Sequence, residues 1–414
     1  MATSGGMAAL GFLALMGVSA CGGSASDSEQ QGGGLPNGGV GGSGGRTSTR
    51  STACAKNQGE VRVSMELTNG VSVGDVDGDG KQDFVVATGG FCCASQIPYK
   101  TKVFRNETGT QFRAPSELFA DKNYSLQAVA DLNGDGLDDI AATNPTLNEL
   151  AIALSVENGA AFSTQTLPLN LGVQALLARD FDADGKVDIA ALGAIDGAGK
   201  LFVLQGNGDG TFATPNVVEL GIQQPRFLAA GDFDGDRAPD LLLSDSLEEG
   251  IAFNRGGTFS APPFVPLVRG GAQAVGDLDE DGIDELVAFG EGTDIRVFAV
   301  RTGGVFEERV LQAPRSEPVF ERRGAPVLAD FDADGHLDLV ISRGDTNRVV
   351  SELEIWRGDG TGAIGDVGVQ QVSLRVQTML PSDVDGDGLL DLVVTGIFST
   401  DHHYQGVVYG PCVR

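Results

Sequence analysis

The nonapeptide DVDGDGKQD, Asp75 to Asp83, is followed at once by the apolar run Phe84-Val-Val-Ala87. Carboxylates occupy its first, third, fifth and ninth positions, and glycine its sixth. The pattern recurs from Asp131 (DLNGDGLDD), Asp180 (DFDADGKVD), Asp232 (DFDGDRAPD), Asp277 (DLDEDGIDE), Asp330 (DFDADGHLD) and Asp383 (DVDGDGLLD), each time ahead of another apolar run. Steps of 56, 49, 52, 45, 53 and 53 residues separate the seven copies, a period that belongs to solenoid or propeller units. A repeat filling the chain from Asp75 to its end predicts one closed body over residues 59–414, where length alone would allow two or three domains.

The third copy shows one unit most clearly. Gln174–Arg179 is short and apolar, Asp180–Asp188 is the acidic loop, and Ile189–Leu192 is apolar again. A turn at Asp196–Lys200 leads to Leu201–Leu204, a second turn at Gly206–Gly210 follows, and Asn216–Leu220 closes the unit. Runs of four to six residues rich in Val, Ile, Leu and Phe between Gly, Asn and Asp clusters read as antiparallel hairpins. The last unit has only two strands after its loop, Leu392–Gly396 and one near Gln405–Tyr409, whereas Val61–Leu67 precedes the first unit and has the look of an outer strand. The fold predicted is therefore all-β: a seven-bladed β-propeller of four-stranded antiparallel blades, closed by an N-terminal strand in the last blade.

These loops, and turns such as Gly206-Asn-Gly-Asp-Gly-Thr-Phe212, resemble FG-GAP/VCBS repeats, the units of the integrin α-subunit propeller and of many bacterial surface proteins. The resemblance implies calcium in the hairpin joining the first and second strands of each blade. The residues support that expectation by themselves. Carboxylates at positions 1, 3, 5 and 9 of a tight loop can face one centre, glycine at 6 permits the sharp turn, and the carbonyl of residue 7 adds an oxygen, an all-oxygen shell of the kind calcium prefers. No sulfur or imidazole takes part, which argues against zinc or copper. Position 12, the glutamate of an EF-hand, is here Val86 in the first copy and Val394 in the last.

The candidate ligands are Asp75, Asp77, Asp79 and Asp83; Asp131, Asn133, Asp135 and Asp139; Asp180, Asp182, Asp184 and Asp188; Asp232, Asp234, Asp236 and Asp240; Asp277, Asp279, Asp281 and Glu285; Asp330, Asp332, Asp334 and Asp338; and Asp383, Asp385, Asp387 and Asp391. Up to seven Ca2+ ions are expected. Asn133 keeps an oxygen but loses charge, and Glu285 has a longer reach. Arg237 stands where the fourth loop needs glycine, so that site should be the weakest, because a side chain in a left-handed conformation costs about 1–2 kcal/mol.

Acidic residues number 57 against 28 basic ones, for a net charge of −29, which excludes nucleic acid as a partner, since phosphates demand a basic face. Seven divalent ions would bring the balance to −15, so much of the acidity is metal site.

The start of the chain carries a second signal. The apolar run Met7–Val18, followed by Ser19-Ala20-Cys21, is similar to a bacterial lipoprotein signal, although no Lys or Arg precedes Met7. The resemblance implies cleavage after residue 20, a lipid on Cys21 and, with no Asp following Cys21, an outer-membrane destination. Residues 21–58 are rich in Gly and Ser and too poor in apolar side chains to order themselves, so they read as a disordered tether. Four further cysteines, Cys54, Cys92, Cys93 and Cys412, allow three pairings in an oxidising compartment. Joining the termini in one blade favours a Cys54–Cys412 disulfide and leaves Cys92 and Cys93 as a vicinal pair or free thiols.

No nucleophile elbow or phosphate loop is present. His336 lies within a loop, and His402 and His403 are placed in the turn before the last strand. Stacking platforms for sugars are few: Trp356, assigned to the core of its blade, and Tyr99, Tyr124, Tyr404 and Tyr409. Two RGD triplets, Arg343–Asp345 and Arg357–Asp359, fall at strand-end turns of the repeat and read as coincidence. The function expected is that of a calcium-binding, lipid-anchored, monomeric cell-envelope propeller, a binding, adhesion or assembly scaffold for an envelope or extracellular protein or glycan. The alternative is a sugar-acting propeller enzyme, similar to a polysaccharide lyase, that uses one calcium; it would need a base beside the ion, and no repeat supplies an obvious one.

Overall fold

The strand that follows each acidic loop is the most deeply buried of its unit. Asp139–Asn144, Asp240–Ser244 and Asp338–Gly344 are buried at every residue, a burial on both faces that near-continuous apolar runs permit. Outer strands alternate instead. Asn216–Gln223 buries Val218, Leu220 and Ile222 and exposes the residues between them, the two-residue period of a half-covered strand.

The computed structural model describes residues 60–64, 68–92, 95–119, 122, 124, 126–144, 147–223, 225, 227–244, 249–260, 273–289, 295–301, 305–311, 321–322, 325–344, 351–372, 375–399 and 402–410. The predicted signal and tether, and Cys21, Cys54, Cys93 and Cys412, lie outside the described residues.

Strand β1 is Glu60–Ser64. Blade 1 holds β2 (Thr68–Gly74), β3 (Asp83–Cys92), β4 (Ser95–Phe104) and β5 (Ser116–Leu118), and blade 2 holds β6 (Leu126–Ala130), β7 (Asp139–Asn144), β8 (Glu149–Val156) and β9 (Ala161–Pro168). Blade 3 comprises β10 (Gly172–Arg179), β11 (Asp188–Ile195), β12 (Ala198–Leu204) and β13 (Asn216–Gln223). Blade 4 shows three strands among the described residues, β14 (Phe227–Gly231), β15 (Asp240–Ser244) and β16 (Glu249–Ala252). Blade 5 has β17 (Gln273–Gly276), β18 (Glu285–Phe289), β19 (Ile295–Arg301) and β20 (Val305–Leu311). In blade 6 the innermost position is shared by β21 (Glu321–Arg322) and β22 (Val327–Ala329), both paired with β23 (Asp338–Gly344), and β24 (Ser351–Gly358) and β25 (Ile364–Val372) complete the sheet. Blade 7 is β26 (Arg375–Ser382), β27 (Asp391–Ser399) and β28 (His402–Val408), with β1 added along β28. All pairings are antiparallel, and the chain is an all-β propeller of seven blades.

The closure expected from the sequence is present. Glu60 pairs with Val408, Val61 with Val407 and Arg62 with Gly406. The ring is also closed by packing, because one apolar cluster fills each seam between neighbouring blades. Val71, Phe84 and Val86 of blade 1 meet Val393, Val407 and Tyr409 of blade 7, and the other six seams are filled in the same way. Trp356, 2% exposed, sits in the seam between blades 5 and 6 with Ala274, Val287 and Ile295.

Two local expectations are corrected. The turn expected over Asp196–Lys200 contracts to Asp196 and Gly197, because Ile195 pairs directly with Ala198. Both turn residues have positive φ, 49° and 82°, as two-residue hairpins of this hand require. His402 and His403 do not lie in a turn: they open β28, opposite Ser399 and Ile397.

Removing the chain through Ser64 strips the outer partner from β28. With each backbone hydrogen bond contributing about 1 kcal/mol net, the loss should be on the order of 2–4 kcal/mol, read as a lower denaturation midpoint. An unchanged midpoint would contradict the closure.

Candidate metal centres

All seven acidic loops join the innermost position of a blade to the next strand, as expected, β22 to β23 in blade 6. Their internal geometry follows from how carboxylates satisfy a tight turn. At position 1, Asp75 Oδ1 accepts from Gly78 N–H at 2.7 Å and Asp79 N–H at 3.1 Å, and Oδ2 accepts from Gly80 N–H at 2.8 Å. Asp131, Asp232 and Asp383 cap their loops in the same three-bond manner. At position 5, Asp79, Asp135, Asp184, Asp236, Asp281, Asp334 and Asp387 each accept from the N–H of residue 7.

Position 9 has a second duty that spacing alone does not disclose. Asp83 Oδ2 accepts from Val76 N–H at 3.1 Å and Oδ1 from Asn106 N–H at 2.8 Å, so one carboxylate ties the loop's second residue to the end of the blade's third strand. Asp139, Asp188, Asp240, Asp338 and Asp391 repeat both bonds, and Glu285 makes the first, to Leu278 N–H at 2.8 Å. Burial, reinforced by the neighbouring carboxylates, pushes Asp83, Asp139, Asp240 and Glu285 up to about 7 and Asp338 and Asp391 up to about 6, against the pull of these N–H donors. Asp188 is raised for the same reason.

Position 2 carries a sequence signal of its own: Val76, Leu132, Phe181, Phe233, Leu278, Phe331 and Val384 are all apolar and all buried in the seams. Position 4 is left-handed in every loop, with Gly78, Gly134, Ala183, Gly235, Glu280, Ala333 and Gly386 at φ between 56° and 76°. The glycine preference therefore extends to two positions, not one.

The carboxylates converge. Ligand oxygens of Asp75, Asp77 and Asp83 lie within 4.8 Å of one another, as do those of Asp232, Asp234 and Asp240, of Asp277, Asp279 and Glu285, and of Asp330, Asp332 and Asp338. In the third loop the converging set is Asp180, Asp182 and Asp184. Three oxygens in these loops, Asp77 Oδ1, Asp180 Oδ1 and Asp279 Oδ1, are buried without any hydrogen-bond partner. Burial and then the charges of Asp79 and Asp75 raise Asp77. Unpartnered buried carboxylate oxygens facing like charge are costly by themselves, and an all-oxygen donor set fits a hard divalent cation.

Protein cations supply part of the compensation. Lys81 reaches Asp79 at 2.5 Å and Lys186 reaches Asp184 at 2.7 Å. In the fourth loop Arg255 contacts Asp234 at 2.9 Å and Asp236 at 3.3 Å. Arg237 holds φ of 68° there, the strained left-handed backbone expected of it, and its N–H caps Asp232 at 2.7 Å.

In five of the seven seams the loops also make a polar contact through position 2. The carbonyl of position 2 accepts from the following blade: Val76 from Ser155 Oγ, Leu132 from Gly210 N–H, Phe181 from Asn254 Nδ2, Leu278 from Gly362 N–H and Val384 from Asn106 Nδ2, at 2.5–3.1 Å. Glycines let these turns approach. A Cβ on Gly109 would lie 2.6 Å from Asp385 Cα, and one on Gly159 equally close to Asp77 Cα.

Other residues singled out in the sequence are engaged structurally. His336 Nδ1 pairs with Glu280 of the neighbouring loop. Arg343 is buried and paired with buried Glu354 at 3.1 Å, and Arg357 pairs with Asp332, so neither RGD arginine is free. Tyr124, 1% exposed, donates to Glu149 at 2.6 Å, and Tyr409 donates to the Gly109 carbonyl. Neither is a surface platform.

Comparison with known proteins agrees with this architecture. Human integrin alpha-7 is 31% identical over 150 residues, covering 31% of this chain and 12% of that protein. Mouse cartilage acidic protein 1 is 25% identical over 342 residues, covering 70% of this chain and 50% of that protein. The chain thus spans half or less of the length of these relatives. Among solved structures, one described as BBS1N in complex with ARL6DN, soaked with lead, superposes with a TM-score of 0.55 at 11% identity over 86% of this chain and 99% of that one, a likeness of fold alone. The model of the FG-GAP-like repeat matches five times, over residues 75–142, 131–191, 180–243, 277–341 and 330–394. Together the matches span residues 75–243 and 277–394, well over half of the chain, and on that footing the chain belongs to the FG-GAP-like repeat family.

Proposed function

We propose that the protein is a calcium-stabilised propeller, held on a bacterial cell envelope by a lipid on Cys21, that serves as a docking scaffold for an envelope or extracellular protein or glycan. The observation that carries the cation reading is the set of converging carboxylates with buried, unpartnered oxygens placed at the inter-blade seams. A bound divalent cation would supply neutralisation of these oxygens and hold the loop in one conformation. Asp75, Asp77 and Asp83, with their counterparts in the other loops, would hold it. The chain's own residues do the rest: position 1 caps the turn, position 9 ties the loop to its blade, and position 2 ties it to the next blade. Membership of a family that includes integrin α chains supports a role in protein contact. The export signal read in the sequence supports the envelope setting.

Metal analysis of the purified chain should find several calcium ions per molecule, and EGTA should lower the melting temperature substantially, because cation binding to preformed sites is folding free energy. A chelated sample melting as hot as the calcium-saturated one would sink the proposal. Replacing Asp75, Asp77 and Asp79 together with Asn should abolish one ion and lower the midpoint, whereas replacing His402 and His403 with Gln should leave both unchanged.

The ninth-position acids add a pH test. Burial first, and neighbouring carboxylates with it, push six of them, Asp83, Asp139, Asp240, Glu285, Asp338 and Asp391, up to about 6 or 7, above an unfolded value of about 4. Raised acids bind protons more tightly when folded, so that contribution is present at low pH and lost as pH rises through the folded pKa. Cations require the ionised form. The gain in melting temperature on adding calcium should therefore be larger at about pH 8 than at about pH 5.5; the opposite order would contradict the assignment.

A further inference from the structure

We infer that Asp138 and Asp284, neither at a ligand position, couple the cation loops of neighbouring blades in two pairs: the loop at Asp75 with that at Asp131, and the loop at Asp232 with that at Asp277. The inference rests on the cation reading proposed above. Each residue is the eighth of its own loop and reaches back to the preceding blade. Asp138 Oδ2 accepts from Asp75 N–H at 2.8 Å, while Asp138 N–H donates to the Asp75 carbonyl at 2.9 Å. Asp284 Oδ2 accepts from Asp232 N–H at 2.7 Å, and Asp284 N–H donates to the Asp232 carbonyl at 2.7 Å. Asp75 and Asp232 are the first ligand positions of their loops, so both backbone polar groups of a ligand residue are held by the adjacent loop.

The room for this contact is built into the chain. Gly74 and Gly231 immediately precede the clasped residues, and a Cβ on them would lie 2.6 Å and 2.7 Å from the Asp138 and Asp284 carboxylate oxygens. Where the eighth residue is Leu337, a Cβ on the matching Gly276 would meet the leucine Cδ1 at 2.8 Å instead, so the same approach is made there by an apolar plug. Asp138 and Asp284 are chain neighbours of Asp139 and Glu285, the ninth ligands of their own loops. A cation that orders one loop fixes its eighth residue, which in turn fixes the first ligand of the loop before it. The second cation then orders less chain on binding, and the coupling is reciprocal.

Hydrogen exchange of the full chain during a calcium titration reports each loop separately. Asp138→Ala should raise the calcium concentration that protects residues 75–83 by about tenfold, within the usual span of site-to-site coupling. It should leave residues 383–391 unmoved. Asp138→Asn keeps an acceptor oxygen and should recover most of the loss. Disabling the loop at Asp131 with Asp135→Ala should weaken protection of residues 75–83 in the otherwise native chain but not in the Asp138→Ala chain. If residues 75–83 respond as before in Asp138→Ala, or if the effect of Asp135→Ala persists without Asp138, the coupling is overturned. Should Asp138→Ala not fold, an Asp135→Ala chain whose residues 75–83 are unaffected overturns it equally. Absence of calcium-dependent protection in every loop, residues 383–391 included, rejects the cation reading and the coupling with it.

Discussion

The buried carboxylate at the ninth position of each loop is the constraint from which the rest follows. It is the point where the loop, the second strand it opens and the end of the third strand are tied together, by N–H donors to its oxygens. A carboxylate placed there is expensive, because burial raises its pKa toward neutrality. The expense is tolerated because an N–H from each side would otherwise be buried without an acceptor. The apolar residue at position 2 is carried into the seam by the same bond, so one acid sets both the blade's internal geometry and its contact with the next blade.

Two kinds of contact then share the assembly of the ring. Apolar clusters in the seven seams provide burial, which is large but non-directional. The polar contacts from position 2 to the next blade's turn are directional, and they fix how far each blade is displaced along its neighbour. Cations at the loops would stiffen the directional half without adding apolar area. Such a ring can be held together by its core and still depend on metal for a single arrangement.

The seven blades and the closing strand were legible because the repeat is long, regular and punctuated by Gly and Asp, and because Val61–Leu67 stood outside any unit while the last unit lacked a strand. The convergence of carboxylates was legible as a spacing of oxygens. What spacing could not reveal is competition for those oxygens. Nothing in D-x-D-x-D-G-x-x-D says that the last carboxylate is already engaged by two backbone donors. Contacts between blades were hidden for a different reason: Asp75 and Asp138 are 63 residues apart, and Asp138 sits beside Asp139 in an Asp-Asp doublet that reads as ordinary loop acidity. The Asp196–Gly197 hairpin was overestimated because Ala198, Gly199 and Lys200 look like turn residues until pairing with β11 claims them.

The architecture also divides its labour between the two rims. Among the described residues, antiparallel blades place the first-to-second and third-to-fourth connections at one end, where loop and turn interlock across seams. There the loops keep one length of nine residues from first to last acid in all seven units, because an insertion would break the clasp from the ninth residue to position 2. The second-to-third connections at the other end obey no such rule: two residues join β11 to β12, and six join β23 to β24. Length freedom of that kind marks a rim on which assembly makes little demand, and surfaces under little structural demand are where recognition can diversify without loosening the ring. On the reading proposed above, cations would serve assembly at one rim and leave the opposite rim to recognition.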